Sequence, residues 1–120
     1  MNNFTFTGTG VALITPFKPD FSIDTDALKR IVDHVIAGGV EYIVALGTTS
    51  EAPTLATAEK QFVTQLILQQ VNGRVPVVKG VGGNNTDEVV NQLKYDSFEG
   101  IAAVLSVTPY YNKPGQAGLL

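Results

Sequence analysis

The side chains in this sequence best suited to chemistry lie in one short stretch, Gly47-Thr48-Thr49-Ser50-Glu51. It presents two adjacent hydroxyls, the free backbone N–H groups of a glycine turn, and a carboxylate. That is the chemistry of a site gripping a small anion; the alternative is a plain polar turn between a strand and a helix. A second polar stretch, Thr108-Pro109-Tyr110-Tyr111-Asn112, brings two adjacent tyrosines, which could equally be a packed aromatic pair with a turn behind it. Lys79 is the one lysine placed where a buried amine could form an iminium, although most lysines in such positions carry the amine out to solvent. His34 is the only histidine and there are no cysteines. A Ser-His-Asp triad within one chain, a histidine-rich metal cluster, a thiolate metal site and a cysteine nucleophile are therefore excluded. No metal site is expected.

The elements that must position these groups follow from the apolar pattern. Tyr42 to Leu46 is an apolar run bounded by glycine, which reads as a buried strand ending on the Gly47 turn. Val11–Thr15, Val75–Gly80 and Ile101–Val107 are runs of the same kind. Pro76 stands near the start of its run, where a strand tolerates proline. Between them lie three helical patterns. In the first, Asp24 is the N-cap, Ile23 and Leu28 have the spacing of a hydrophobic staple, and Leu28, Ile31, Val32, Val35 and Ile36 form one stripe. Gly38-Gly39 ends it, and His34 lies off the stripe. The second begins near Thr57, buries Phe62, Val63, Leu66, Ile67 and Val71, and closes at Asn72-Gly73. The third follows Asn85, which with Glu88 resembles a capping box, and runs through Val89, Val90 and Leu93.

The order is βαβαβαβ with a repeat of about thirty residues, the length of a βαβ unit. Near-continuous apolar strands indicate a sheet covered on both faces. Every polar or glycine-rich turn of interest falls after a strand: Thr15-Pro16, Gly47-Thr48-Thr49, Gly80 to Asn85, and Thr108 to Asn112. In an open doubly wound sheet and in a (β/α)8 barrel alike, that end carries the function. Gly80-Val81-Gly82-Gly83-Asn84-Asn85 fails the dinucleotide fingerprint, because Asn85 stands at the third glycine position.

Composition sets the class. The chain has 120 residues, 44% of them hydrophobic, and a mean hydropathy of +0.15. This fits one α/β domain, or part of one, over residues 1–120. A net charge of −3 with scattered basic residues argues against nucleic acid. Met1 to Phe6 shows no signal-peptide pattern, and no apolar stretch reaches the ~20 residues that span a bilayer. A cytoplasmic protein is expected, with no membrane association.

Gly47-Thr48-Thr49-Ser50-Glu51 resembles the G-T-T-G-E motif of the dihydrodipicolinate synthase family. Val107-Thr108-Pro109-Tyr110-Tyr111-Asn112-Lys113-Pro114 resembles that family's V-T-P-Y-Y-N-[KR]-P motif, and Ile14-Thr15-Pro16-Phe17 fits its leading segment. The resemblance implies the first half of a (β/α)8 barrel, strands one to four with three helices. It implies condensation of pyruvate, held as a Schiff base on a lysine, with aspartate semialdehyde, in a homotetramer and with no cofactor. Thr49 would hold the pyruvate carboxylate by its hydroxyl and backbone N–H. Thr48 and Tyr111 would belong to a proton relay, with Tyr111 reaching the neighbouring subunit's site. Tyr110 and Asn84 match interface positions where lysine inhibits some members. Lys60 stands where inhibited members carry histidine or glutamate, which implies weak or no inhibition by lysine.

Ser50 replaces the family's usual glycine, and Glu51 is expected to cap backbone N–H groups. The family's Schiff-base lysine, on strand six, is not among these residues, nor are its second relay tyrosine and carboxylate-binding arginine, which follow strand five. A closed barrel takes about 250 residues. Four strands leave open edges and an uncovered apolar face, so association of the isolated chain is expected. Two alternatives stand: another pyruvate-dependent aldolase, such as N-acetylneuraminate lyase or a keto-deoxy sugar acid aldolase, and an inactive half barrel serving as an assembly or binding module.

Overall fold

The computed structural model describes residues 6–119. The stretch read for a signal peptide falls largely in residues 1–5, outside them, as does Leu120. Four strands alternate with helices: β1 (Gly10–Ala12), α1 (Thr25–Ala37), β2 (Tyr42–Ala45), α2 (Thr57–Val71), β3 (Val77–Gly80), α3 (Thr86–Tyr95), β4 (Ala103–Leu105) and a short α4 (Gln116–Leu119). Two 3-10 turns, Thr48–Ser50 and Ala52–Thr54, lie between β2 and α2. The helix α4 adds one short element to the three helices expected.

The helix boundaries follow from local chemistry. Asp24 accepts the Ala27 N–H at 2.9 Å and starts α1. Gly39, at φ +88°, supplies the left-handed residue beyond its end. At α2 the N-cap is Ala56, which has no side-chain acceptor. Only the reverse half of a capping box forms there, the Ala56 N–H donating to Glu59 Oε2 at 2.8 Å. Asn72 closes α2 in the left-handed region. Asn85 accepts the Asp87 N–H at 3.1 Å and starts α3.

All strand pairs are parallel, in the order β1-β2-β3-β4. This sequential order settles the choice left open by the pattern. A doubly wound sheet reverses its strand order at the ligand crevice, whereas a barrel adds each strand beside the last. The register assigns the two faces. Val11, Ile43, Val77 and Lys79 lie on the side of the helices, and Ala12, Val44, Val78 and Ala103 line the opposite, concave side. The core lies between sheet and helices and includes Leu28 and Val32 of α1, Ile43 and Ala45 of β2, and Val63, Ile67 and Val71 of α2.

Three readings of the packing change. Phe62 is 46% exposed, so the buried stripe of α2 is Val63, Thr64, Leu66, Ile67 and Val71. The third helix has no fully buried residue. The strand ladders are also shorter than the apolar runs, with three residues in β1 and β4 and four in β2 and β3. On the concave side and beyond it, Ile14, Leu105 and Val107 are each about half exposed, which is the uncovered apolar face expected of a partial barrel.

Candidate functional site

The Thr48-Thr49 turn is built by an unusual backbone at the end of β2. Leu46 is buried yet sits at φ +55°, and Glu51 sits at φ +58°. The four residues between them are thus bracketed by two left-handed, non-glycine positions. Such conformations cost of order 1–3 kcal/mol and persist only where the surroundings enforce them. The neighbour that comes closest to the Leu46 carbonyl is Gly80 of β3. A Cβ on Gly80 would collide with the Leu46 carbonyl, so glycine there lets the two backbones touch. Gly82 lies close to the segment after β4, since its Cβ would lie 2.7 Å from Val107 Cγ1 and 3.2 Å from the Val107 nitrogen. The glycine-rich stretch after β3 is therefore a close-packing device between neighbouring strand ends.

Within the turn, Ser50 is buried, and its hydroxyl donates to the Gly47 carbonyl at 2.7 Å. It is not among the residues of positive φ, so this position has no need of glycine's freedom. Thr48 and Thr49 are exposed at the start of the 3-10 turn, where the first amides have no acceptor inside the turn. The Glu51 carboxylate is exposed and accepts no backbone N–H among the described residues, so the capping role expected for it is not seen. Its carbonyl instead accepts the Thr54 N–H and hydroxyl, both at 2.8 Å.

Asn84 brings in the tyrosines. Its Oδ1 accepts the backbone N–H of Tyr110 at 2.8 Å and that of Tyr111 at 3.1 Å. The loop after β3 thereby holds the loop after β4. Thr48 and Tyr110 line one cavity of about 530 Å³ at the carboxyl ends of the strands, together with Pro53, Gly80 and Val107. Thr49 and Tyr111 do not line it, and the Tyr111 ring is 82% exposed. Lys60 is half-buried and faces a separate cavity of about 50 Å³, which it shares with Gln61, Lys79 and Asp96. His34 is exposed on α1, away from all of these.

Lys79 is 5% exposed and points to the helix side of the sheet. Its ammonium donates to Asp96 Oδ2 at 3.0 Å and lies 4.8 Å from the centroid of the Phe98 ring. It lies on the opposite face of the sheet from the Thr48–Tyr110 cavity, which removes the geometric basis for an iminium at this residue. Sequence reasoning passed over Asp96, and also over the left-handed Leu46. Asp96 carried one legible signal, an acidic residue closing a helix that starts just beyond a lysine-bearing strand. Among the described residues no three His, Cys, Asp or Glu side chains cluster as metal ligands, and no helix is long and apolar enough to cross a membrane.

The model of the dihydrodipicolinate synthetase family matches residues 5–120. Relatives named 4-hydroxy-tetrahydrodipicolinate synthase occur in Flavobacterium psychrophilum, 61% identical over 114 residues, and in Parabacteroides distasonis, 54% identical over 119 residues. These matches cover 95% and 99% of this chain but 39% and 40% of the relatives. Among solved structures, a dihydrodipicolinate synthase 46% identical superposes with a TM-score of 0.87 over 95% of this chain and 39% of its own. The chloride-inhibited dihydrodipicolinate synthase from Acinetobacter baumannii, complexed with pyruvate, gives 42% identity and a TM-score of 0.89 over 96% of this chain and 40% of its own. The sheet order, the spacing of both polar turns and these matches agree: the chain, spanning about 39% of the length of its first relatives, belongs to the dihydrodipicolinate synthetase family and has the fold of the first half of its barrel.

Proposed function

We propose that residues 1–120 supply the carboxylate anchor and part of the proton relay of a 4-hydroxy-tetrahydrodipicolinate synthase, a lyase that condenses pyruvate with aspartate semialdehyde toward lysine. The observation that carries this reading is the convergence of the Thr48-Thr49 turn and the Tyr110-Tyr111 turn at one end of the sheet, the second pinned by Asn84. Thr49 holds the pyruvate carboxylate through its hydroxyl and N–H. Thr48 and Tyr111 pass protons, and the exposure of Tyr111 suits a ring that serves the neighbouring subunit of a homotetramer. Tyr110, Asn84 and Lys60 belong to the subunit interface region, where Lys60 leaves inhibition by lysine weak or absent.

Pyruvate is held as a Schiff base on a lysine outside these residues, whose iminium draws electrons from the methyl group as it loses a proton. The setting is the cytoplasm, and no cofactor takes part. Kinetics of a chain extended to the length of the relatives test the division of roles. Thr49→Val raises the pyruvate KM with a smaller change in kcat. Thr48→Val and Tyr111→Phe lower kcat by roughly 100-fold with little change in KM. Full activity in all three variants would overturn the proposal.

A further inference from the structure

The third helix is held in a way the other two long helices are not. It buries no residue fully, whereas α1 and α2 each bury an apolar stripe. Val89, Val90 and Gln92 are only half-buried, and polar attachments lie at its two ends. At the carboxyl end Asp96 meets Lys79 across the βα unit, with the two side chains only 23% and 7% exposed. At the amino end Asn85 caps the helix, and the residue before it, Asn84, holds the Tyr110 and Tyr111 amides. We infer that the Lys79–Asp96 ion pair is a positioning device. It fixes α3 against the end of β3, and through α3 it fixes Asn84 and the tyrosine turn.

The physical reason is the weakness of the apolar anchor, since Val89 and Val90 are only half-buried. A helix with a buried stripe is placed by packing, and loss of one ion pair would barely move it. With so little apolar burial, α3 depends more on a pair that is largely removed from water, where the attraction is less screened than at the surface. Phe98 adds a ring face beside the same ammonium. The strand end bearing Lys79 continues through Gly80 to Gly83 into Asn84. A shift of α3 is therefore delivered directly to the acceptor of both tyrosine amides.

The consequence for catalysis rests on the reading of Tyr111 as a relay group; the mechanical coupling does not. Hydrogen–deuterium exchange with residue-level mass spectrometry on the 120-residue chain separates the two. Lys79→Met removes the ammonium while filling its space, and leaves Asp96 able to reach water. Exchange at the Tyr110 and Tyr111 amides should accelerate roughly fivefold, as for loss of one net hydrogen bond, while the β2 and α1 amides are unchanged. Lys79→Arg should restore protection. Asn84→Ala serves as the reference for a lost clamp, accelerating the same two amides directly. Unchanged tyrosine amides in Lys79→Met, or uniform acceleration across the chain, would overturn the inference. Failure of the pyruvate chemistry in the longer chain would leave this measurement as it stands.

Discussion

The side-chain oxygen of Asn84 accepts the backbone N–H of Tyr110 at 2.8 Å, a bond that spans 26 residues of sequence and joins the turns after β3 and β4. The same oxygen serves Tyr111 at 3.1 Å. An acceptor is all this contact needs. Asn84→Asp should therefore keep the tyrosine turn in place, and Asn84→Ala should lower stability by about 1 kcal/mol, the usual net value of such bonding. Urea unfolding of the two variants checks this; equal midpoints would contradict it.

Gly80 and Gly47 lie on neighbouring strand ends but should respond oppositely to a methyl group. At Gly80 the added Cβ meets the Leu46 carbonyl and the Gly47 backbone. At Gly47 it meets only Val44 Cγ1, at 3.6 Å, and φ is an ordinary −72°. Gly80→Ala should destabilise by about 1–3 kcal/mol, as overpacking does, and release Leu46 from its left-handed conformation. Gly47→Ala should change stability by no more than about 0.5 kcal/mol. Thermal unfolding of both variants distinguishes the positions.

Thr15 is buried, and its hydroxyl finds no partner among the described residues. A buried, unpaired hydroxyl carries a desolvation cost of about 1–3 kcal/mol. Thr15→Val keeps the shape and removes the polar atom, so it should leave stability unchanged or raise it. A loss of more than about 1 kcal/mol in urea unfolding would mean that the hydroxyl has a partner.

Asp33 links the first two helices. Its carboxylate accepts from Arg74, with which it forms an ion pair at 2.6 Å, and from Gln70 at 2.7 Å. The Arg74 hydrogen bond, then that of Gln70, holds its pKa below the ordinary 3.8. A carboxylate depressed in the folded state contributes stability above the unfolded value, and that contribution is lost as pH falls through the lower, folded one. The stability gap between the native sequence and Asp33→Asn should therefore be constant near neutral pH and close below about pH 4. The pair is solvent-exposed, so the gap is small and should shrink with added salt. Thermal melts at several pH values measure it, and a gap that widens in acid would contradict the assignment.

Much of this arrangement was legible because local chemistry and tertiary demand agree. Asp24 and the stripe from Leu28 announce α1, and Asn72-Gly73 marks the end of α2, because capping and turn residues act within a few positions. The polar turns after each strand pointed to the functional end, since parallel strands bring those turns together whatever the fold. Leu46 was not legible. Nothing in a leucine signals a left-handed backbone, which Gly80 makes possible from the next strand. Phe62 has helical spacing that includes it in the stripe, but no described element covers it. The family resemblance marks Asn84 with Tyr110 as an interface position, but its hydrogen bonds to the Tyr110 and Tyr111 amides are not legible, because those partners lie in a different βα unit. Lys79 read as a possible nucleophile because sequence gives its place on a strand but not the carboxylate it would meet.

The most direct test is borohydride reduction in the presence of pyruvate, followed by peptide mass spectrometry, on the 120-residue chain and on a chain extended to the length of its relatives. The expected result is a stable lysine adduct in the extended chain only, on a residue beyond Leu120, with Lys60 and Lys79 unmodified in both. A pyruvate adduct on Lys79, or on any lysine of the 120-residue chain, would contradict the assignment of these residues to anchoring and proton transfer without the nucleophile.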